Sequence, residues 1–237
     1  MRGVRDSRDL LEIPLFHDLS PEHLDSLNNM LSQQVYPARK TLMLEETPGD
    51  KAFILLEGTV KIYVQDWEGR EVILGFRGRG EVLGEMSLLD SMGHSANVVA
   101  QNKVTVLSIS RKAFWECLQV MPPMIFNLAR ILSRRTRVAT SQILSLATQD
   151  VQGRVARQLL TFADEYGQAL NGGSILIPLR LTQSDLAGLV GATRVRVNEV
   201  LAGWKSDKWI SVDEKFEFTI LKQLKLAELC KDWRKLT

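Results

Sequence analysis

The 237-residue chain has only two cysteines, Cys117 and Cys230, and neither has a Cys or His partner at metal-ligand spacing. A disulfide framework and a zinc or iron–sulfur site therefore find no support, and both thiols are expected to be buried or partly buried. Long apolar runs are absent too, since none approaches the roughly 20 residues of a membrane span. The N-terminal stretch with Arg2, Arg5, Asp6 and Arg8 lacks the apolar core of a secretory signal, so the expectation is a cytoplasmic chain without a membrane partner. No charge of one sign dominates. The formal net charge is +2, and the 13 Lys and Arg against 11 Asp and Glu from Asp150 onward place the small surplus in the C-terminal part. Contact with an anionic polymer would therefore rest on a local patch. Catalytic signatures are also missing. There is no nucleophile elbow, no paired histidines on a helix face and no P-loop, and Gly78-Arg79-Gly80 falls short of a nucleotide fingerprint. The chain is not expected to be an enzyme, and it shows no internal repeat or low-complexity tract.

What is present is patterned. Residues 9–34 place Leu10, Leu11, Leu15, Phe16, Leu19, Leu24, Leu27 and Leu31 at helix-like spacings, and Ser20-Pro21-Glu22-His23 supplies an N-cap with proline at the first helical position. From Val35 to Ile109, short runs rich in Val, Ile, Phe and Tyr are cut by Pro48-Gly49-Asp50, Glu57-Gly58, Trp67-Glu68-Gly69, Arg77-Gly78-Arg79-Gly80 and Met92-Gly93. Strands of about five residues spaced about ten apart, with no crossover helices, predict an antiparallel β-roll. Beyond Pro122-Pro123 a long helix is predicted over about Met124–Leu146. Along it Ile125, Ala129, Leu132, Thr136, Ala139, Ile143 and Leu146 alternate by four and three as a heptad seam, while Arg130, Arg134, Arg135 and Arg137 fall outside it. Such a seam either joins two copies of the chain or packs on its own β-domain; symmetric dimerisation is the preferred expectation.

The C-terminal part reads as a DNA-binding module. Asp150–Tyr166 forms a helix and Ile175–Leu181 a short extended segment around Pro178. In Leu181–Leu201, apolar residues at Leu186, Leu189 and Val190, then at Val197, Val200 and Leu201, describe two short helices with Gly191 at the break. Helices joined by so short a turn cross steeply, as in a helix-turn-helix. Thr193 is the N-cap of the second helix, whose exposed side carries Arg194, Arg196, Asn198 and Glu199, residue types that bond base edges or phosphates. The alternative for this motif alone is an amphipathic helix pair with a solvated charged face. Ile210–Asp213 and Phe216–Ile220 alternate with period two as a hairpin wing, and residues 222–234 add a last amphipathic helix. The expected fold is α+β, with a jelly-roll domain over 1–121, a long dimerisation helix over 122–148 and a winged helix-turn-helix over 149–237.

This order resembles the cyclic-AMP receptor protein and fumarate–nitrate regulator (CRP/FNR) family of bacterial transcription factors over nearly the whole chain. The resemblance is carried by Pro48–Gly58, Gly80–Leu89, Asp150–Ala156 and Thr182–Leu201. It implies a cyclic-nucleotide-binding-like sensor roll, a homodimer that reads a palindrome in double-stranded DNA, and RNA polymerase as a further partner.

In cyclic-nucleotide members a Gly-Glu pair opens a short helix and a following Arg-Ser pair grips the cyclic phosphate. Here the resemblance places Gly84, Glu85, Met86 and Ser87 in that cassette, with His94 and Ser95 where Arg-Ser would stand. A guanidinium is permanently charged and two-pronged, whereas imidazole is mostly neutral at cytosolic pH. Ala139 and Thr140 stand where the family's adenine-contacting Thr-Ser pair would be, so one hydroxyl is lost as well. These eight residues form the candidate effector pocket. A cyclic nucleotide is disfavoured, and an unidentified small molecule or no ligand at all is expected, with no metal. No cysteine precedes Cys117, which disfavours an iron–sulfur sensor. His17, His23 and His94 read as surface or capping residues rather than haem ligands. On the recognition helix Arg194 keeps the family's guanine-contacting position, Val195 replaces a glutamate and Glu199 an arginine, so an altered half-site is expected. Thr182, Gln183, Ser184 and Thr193 stand where phosphates are bonded. Two alternatives are a cyclic-AMP-responsive regulator and a ligand-sensing dimer that does not bind DNA.

Overall fold

A computed structural model describes residues 7–230. The expectations for Arg2, Arg5 and Asp6 and for the end of the last helix, 231–234, lie outside the described residues. The chain divides into two compact units, the first ending at Arg135 and the second beginning at Thr136.

In the first unit, 3-10 turns at Ser7–Glu12 and Pro14–Phe16 lead into α1, Pro21–Met30, where Ser20 Oγ accepts from the His23 N–H at 3.3 Å. The helix-like spacing continues to residue 34, yet Ser32–Tyr36 is strand β1. Its pairing with the strand Val104–Ser110, about 70 residues away in sequence, overrides the local periodicity. The remaining strands are β2 (Thr41–Met43), β3 (Lys51–Glu57), β4 (Val60–Gln65), β5 (Glu71–Arg77), β6 (Val82–Leu83), β7 (Asn97–Ala100) and β8 (Val104–Ser110). They form two antiparallel sheets ordered β1-β8-β3-β6 and β2-β7-β4-β5. Between β6 and β7 lies α2, Glu85–Asp90.

Strands β3 and β8 are buried on both faces, which is why each reads as a nearly unbroken apolar run. Phe53, Leu55, Val104 and Val106 point into the roll interior with Met43, Val60, Leu83 and Val98. Ala52, Ile54, Leu107 and Ile109 point out, into a second core built with α1 and the helices that follow β8. These are α3, Arg111–Val120, capped by Ser110 Oγ on the Ala113 N–H, and α4, the 27-residue helix Pro122–Thr148. Phe114, Cys117, Met124 and Leu128 belong to that outer core. Fully burying a side chain such as Phe114 stabilises the unit by about 1.5–3 kcal/mol.

In the second unit α5, Val151–Tyr166, is capped by Asp150, whose carboxylate accepts from the Gly153 N–H at 2.8 Å. Strands β9 (Gln168–Ala169), β10 (Ile175–Ile177), β11 (Ile210–Val212) and β12 (Phe218–Ile220) form a sheet ordered β11-β12-β10-β9. Helices α6 (Gln183–Val190) and α7 (Arg194–Ser206) flank Gly191, which takes the left-handed conformation (φ 58°) the turn requires. Helix α8, Gln223–Leu229, lies close to α5, where a Cβ on Gly153 would meet the Leu229 carbonyl at 3.1 Å.

Candidate functional site

Gly84 opens α2 at φ 78°, a left-handed conformation that glycine adopts without strain. The helix is held by groups distant in sequence. The Arg111 guanidinium donates to the carbonyls of Gly49 (2.7 Å), Ser87 (2.8 Å) and Leu88 (3.1 Å), and Trp115 Nε1 donates to Leu88 O at 3.0 Å. A cation over carbonyls at the end of so short a helix satisfies acceptors the helix leaves open. Ser87 is buried and its hydroxyl donates back to Gly84 O at 2.9 Å.

Glu85 is 2% exposed. Arg135 on α4 reaches it: Nη1 donates to Glu85 Oε1 at 2.6 Å, while Nη2 donates to Glu81 Oε2 at 2.9 Å and to Val82 O at 2.6 Å. Sequence reasoning saw Arg135 only as a residue off the seam. Position off the seam does not single it out, since Arg130, Arg134 and Arg137 share it; only the fold brings Arg135 to Glu85.

His94 lies against the cassette, its Nδ1 3.4 Å from Ser87 Oγ. Burial pushes its imidazole below the ordinary value, opposed by the nearby Asp50 carboxylate, so the neutral form expected from the sequence is reinforced. His94 also lines a cavity of about 400 Å³ with Lys40, Met43, Asp50, Lys51 and Phe53; Gly84, Glu85, Met86, Ser87 and Ser95 are not among its lining residues. Met86 is exposed, with its sulfur 3.8 Å from Ser95 Oγ. The structure therefore brings Glu85, Ser87 and His94 to one helix but aims them differently. Ala139 and Thr140 are exposed on α4, where Thr140 Oγ1 donates to Thr136 O.

In the second unit α7 buries Val197, Val200, Leu201 and Trp204, leaving Arg194, Val195, Arg196, Asn198 and Glu199 exposed. Thr193 caps it through the Arg196 N–H (3.2 Å), and Thr182 with Asp185 forms a reciprocal capping box at the start of α6. Glu199 accepts from Arg196 at 2.7 Å, and Gln183 Nε2 donates to Asn198 Oδ1 at 2.7 Å, tying the two helices together on the exposed face. Ser184 is exposed at the start of α6. The turn is braced from α5, since Arg154 donates through Nε to Val190 O at 2.7 Å and through Nη1 to Gln149 O at 2.8 Å. Arg154 belongs to the Asp150–Ala156 stretch, yet no spacing rule shows that it supports the turn 36 residues later.

A roll that carries a buried cassette and a winged helix-turn-helix that presents an uncovered basic and polar helix face define a DNA-binding transcription regulator. The model of the cyclic nucleotide-binding domain matches residues 33–120, and that of the Crp-like helix-turn-helix domain matches residues 153–229. The chain is 32% identical over 85% of its length to the CRP-like cAMP-activated global transcriptional regulator of Mycobacterium tuberculosis, covering 89% of it. It is also 32% identical over 79% of its length to the cyclic AMP receptor protein of Thermus thermophilus, covering 83% of it. The fold is similar to that of FixK2 from Bradyrhizobium japonicum (TM-score 0.74, 19% identity, 84% and 97% of the two chains). It is similar also to CooA from Carboxydothermus hydrogenoformans (TM-score 0.73, 21% identity, 96% and 97%). The chain belongs to the CRP/FNR family of DNA-binding transcription regulators, a family of regulators rather than of enzymes. Among the described residues no helix is long and apolar enough to cross a membrane.

Proposed function

We propose that this regulator acts as a homodimer, paired through α4, on a two-fold palindrome, and that its roll has left cyclic-nucleotide signalling. The observation that carries this reading is the uncovered apolar stripe on α4. Ile125, Ala129, Thr136, Ala139, Ile143 and Leu146 are exposed and Leu132 is half-buried, while Met124, Leu128, Ser141 and Ser145, which lie off the seam, are buried. A seam of this period left open along one helix face fits a second copy of the same helix. The domains follow as an effector roll over 1–121, a dimerisation helix over 122–148 and a DNA-binding domain over 149–237, in a cytoplasmic protein that addresses RNA polymerase once bound.

Two copies of α7 read half-sites about one helical turn apart. Arg194 makes a two-pronged guanine contact, Val195 an apolar contact, and Arg196, oriented by Glu199, a further polar contact. Thr182, Gln183, Ser184 and Thr193 position the module on phosphates. Gel shifts on palindromic duplexes test this: Arg194→Ala should cost about 1–3 kcal/mol at the matched base while weak nonspecific binding persists. An equal loss on all sequences would reassign Arg194 to the backbone.

A second reading, a cyclic-AMP-responsive regulator, is favoured by the relatives named as cAMP-activated and by the buried Glu85 at the start of α2. Against it stands a neutral His94 where the cyclic phosphate needs a permanent charge. Calorimetry with cyclic AMP is expected to show no binding by the natural protein and a gain in His94→Arg; binding by the natural protein selects the second reading.

A further inference from the structure

The cassette lacks a permanent cation at His94, yet the roll interior holds one that comes from a strand. Arg77 ends β5, and its Cα partner across the ladder is Val60, which is fully buried in the interior cluster. Cross-strand partners share a face, so Arg77 projects into the roll. Two residues earlier on the same face is Gly75, with φ 152°, opposite Ile62, beside a register shift between Ile62 and Tyr63. A Cβ on Gly75 would lie 3.0 Å from Arg77 Nη1, so the guanidinium occupies the space that the missing side chain leaves.

The contacts of Arg77 are sparse for a cation only 23% exposed. Nη1 donates to Phe76 O at 2.8 Å, and Nε stands 3.7 Å from Glu81 Oε2, an ion pair too long for a hydrogen bond. Glu81 is already committed elsewhere, accepting from Arg135 at 2.9 Å, and Arg135 in turn holds Glu85. The four charges run in a row, Arg77, Glu81, Arg135 and Glu85. Arg135 has two carboxylates and a carbonyl on its two terminal nitrogens, whereas among the described residues Arg77 keeps most of its five donors unused. Arg135 is thus the structural member and Arg77 the available one.

We propose that Arg77 is the anion-gripping residue of the effector pocket, and that the effector carries an oxyanion group, phosphate or carboxylate, which Arg77 binds with its guanidinium fork. This rests on the reading of the roll as the sensor. The fork matches either oxyanion in two-pronged geometry, which His94 does not offer. An oxyanion on Arg77 also competes with Glu81 for the same cation, and Glu81 shares Arg135 with Glu85, so occupancy is felt at the start of α2 and on α4.

The test is calorimetric titration of the full-length protein with cyclic AMP and cyclic di-GMP as phosphate esters, 2-oxoglutarate as a carboxylate and sodium sulfate as a bare oxyanion. The natural protein, Arg77→Leu, Arg77→Gln, Arg77→Lys and His94→Gln are compared, with circular dichroism to verify folding. At least one probe should bind the natural protein, 10- to 100-fold more weakly in the Leu and Gln variants, with a smaller loss in the Lys variant and less than threefold in His94→Gln. Silence of the natural protein toward all four probes overturns the proposal. So does equal affinity in the Leu and Gln variants, which would leave the sensor reading intact, or tighter binding in them, which would make Arg77 a plug. Failure of the natural protein to dimerise or to prefer a palindrome sinks the preceding reading without altering this titration.

Discussion

At the scale of single residues, His94 separates what residue type tells from what surroundings add. Its identity already argued against a phosphate grip, and burial beside Ser87 lowers its proton affinity further. The folded state therefore disfavours the imidazolium. Above the free value of about 6.5 both states are neutral and stability is full. As pH falls below it, the unfolded chain takes up a proton that the folded chain resists, and stability is lost down to the depressed folded pKa. The melting temperature of the natural protein relative to His94→Gln should thus drop between pH 7.5 and 5.5, as scanning calorimetry will show; a pH-independent difference would mean that burial does not govern this histidine. The two thiols behave as their isolation implied. Cys117 and Cys230 are buried, and burial raises each to a pKa of about 11, so neither is a thiolate at neutral pH.

At the scale of elements, α2 shows the limit of local reading. Its start was legible in Gly84-Glu85, but a six-residue helix has little stability of its own. It persists because Arg111 and Trp115 of α3 hold its carbonyls and because Gly49 lets the preceding loop approach. A Cβ at Gly49 would stand 2.0 Å from Ser87 Oγ and 2.8 Å from Ser87 Cβ. Gly49→Ala should therefore cost about 1–3 kcal/mol, the usual cost of overpacking, read from urea unfolding; an unchanged midpoint would show that α2 shifts freely. The DNA-reading helices were more legible, since Thr182, Thr193 and Gly191 are caps whose action stays within three or four residues. The misjudged boundary at residues 32–34 has the opposite origin. Ser32-Gln33-Gln34 follow a helically spaced run that ends at Leu31, and pairing with β8 makes them strand.

At the scale of the whole molecule, the open face of α4 has the strongest consequence. Ile143 is 68% exposed and Ile125 48%, values that a seam buried by a second copy would reduce. Ile143→Glu should convert the protein to a monomer in sedimentation while each winged helix-turn-helix stays folded. The affinity advantage of a palindrome over a single half-site, about 10²–10⁴-fold for two linked modules, should vanish with it. A variant that remains dimeric would move the interface off this seam.

Taken by itself, the sequence determined what acts over a few residues: the order of roll, long helix and winged module, the caps of α1 and α7, the left-handed glycine of the turn, the exposed face of α7 and the period of the α4 seam. Dihedral preference, capping and periodicity are local, so they can be read from neighbours. The tertiary structure alone decided which charges meet. Arg135 finds Glu85 across 50 positions, Arg154 braces Val190 across 36, and Arg77 faces the roll interior because of its register against Val60 and the bare face of Gly75. Such pairings depend on strand register and helix placement, and a chain of residues carries no spacing that reports them.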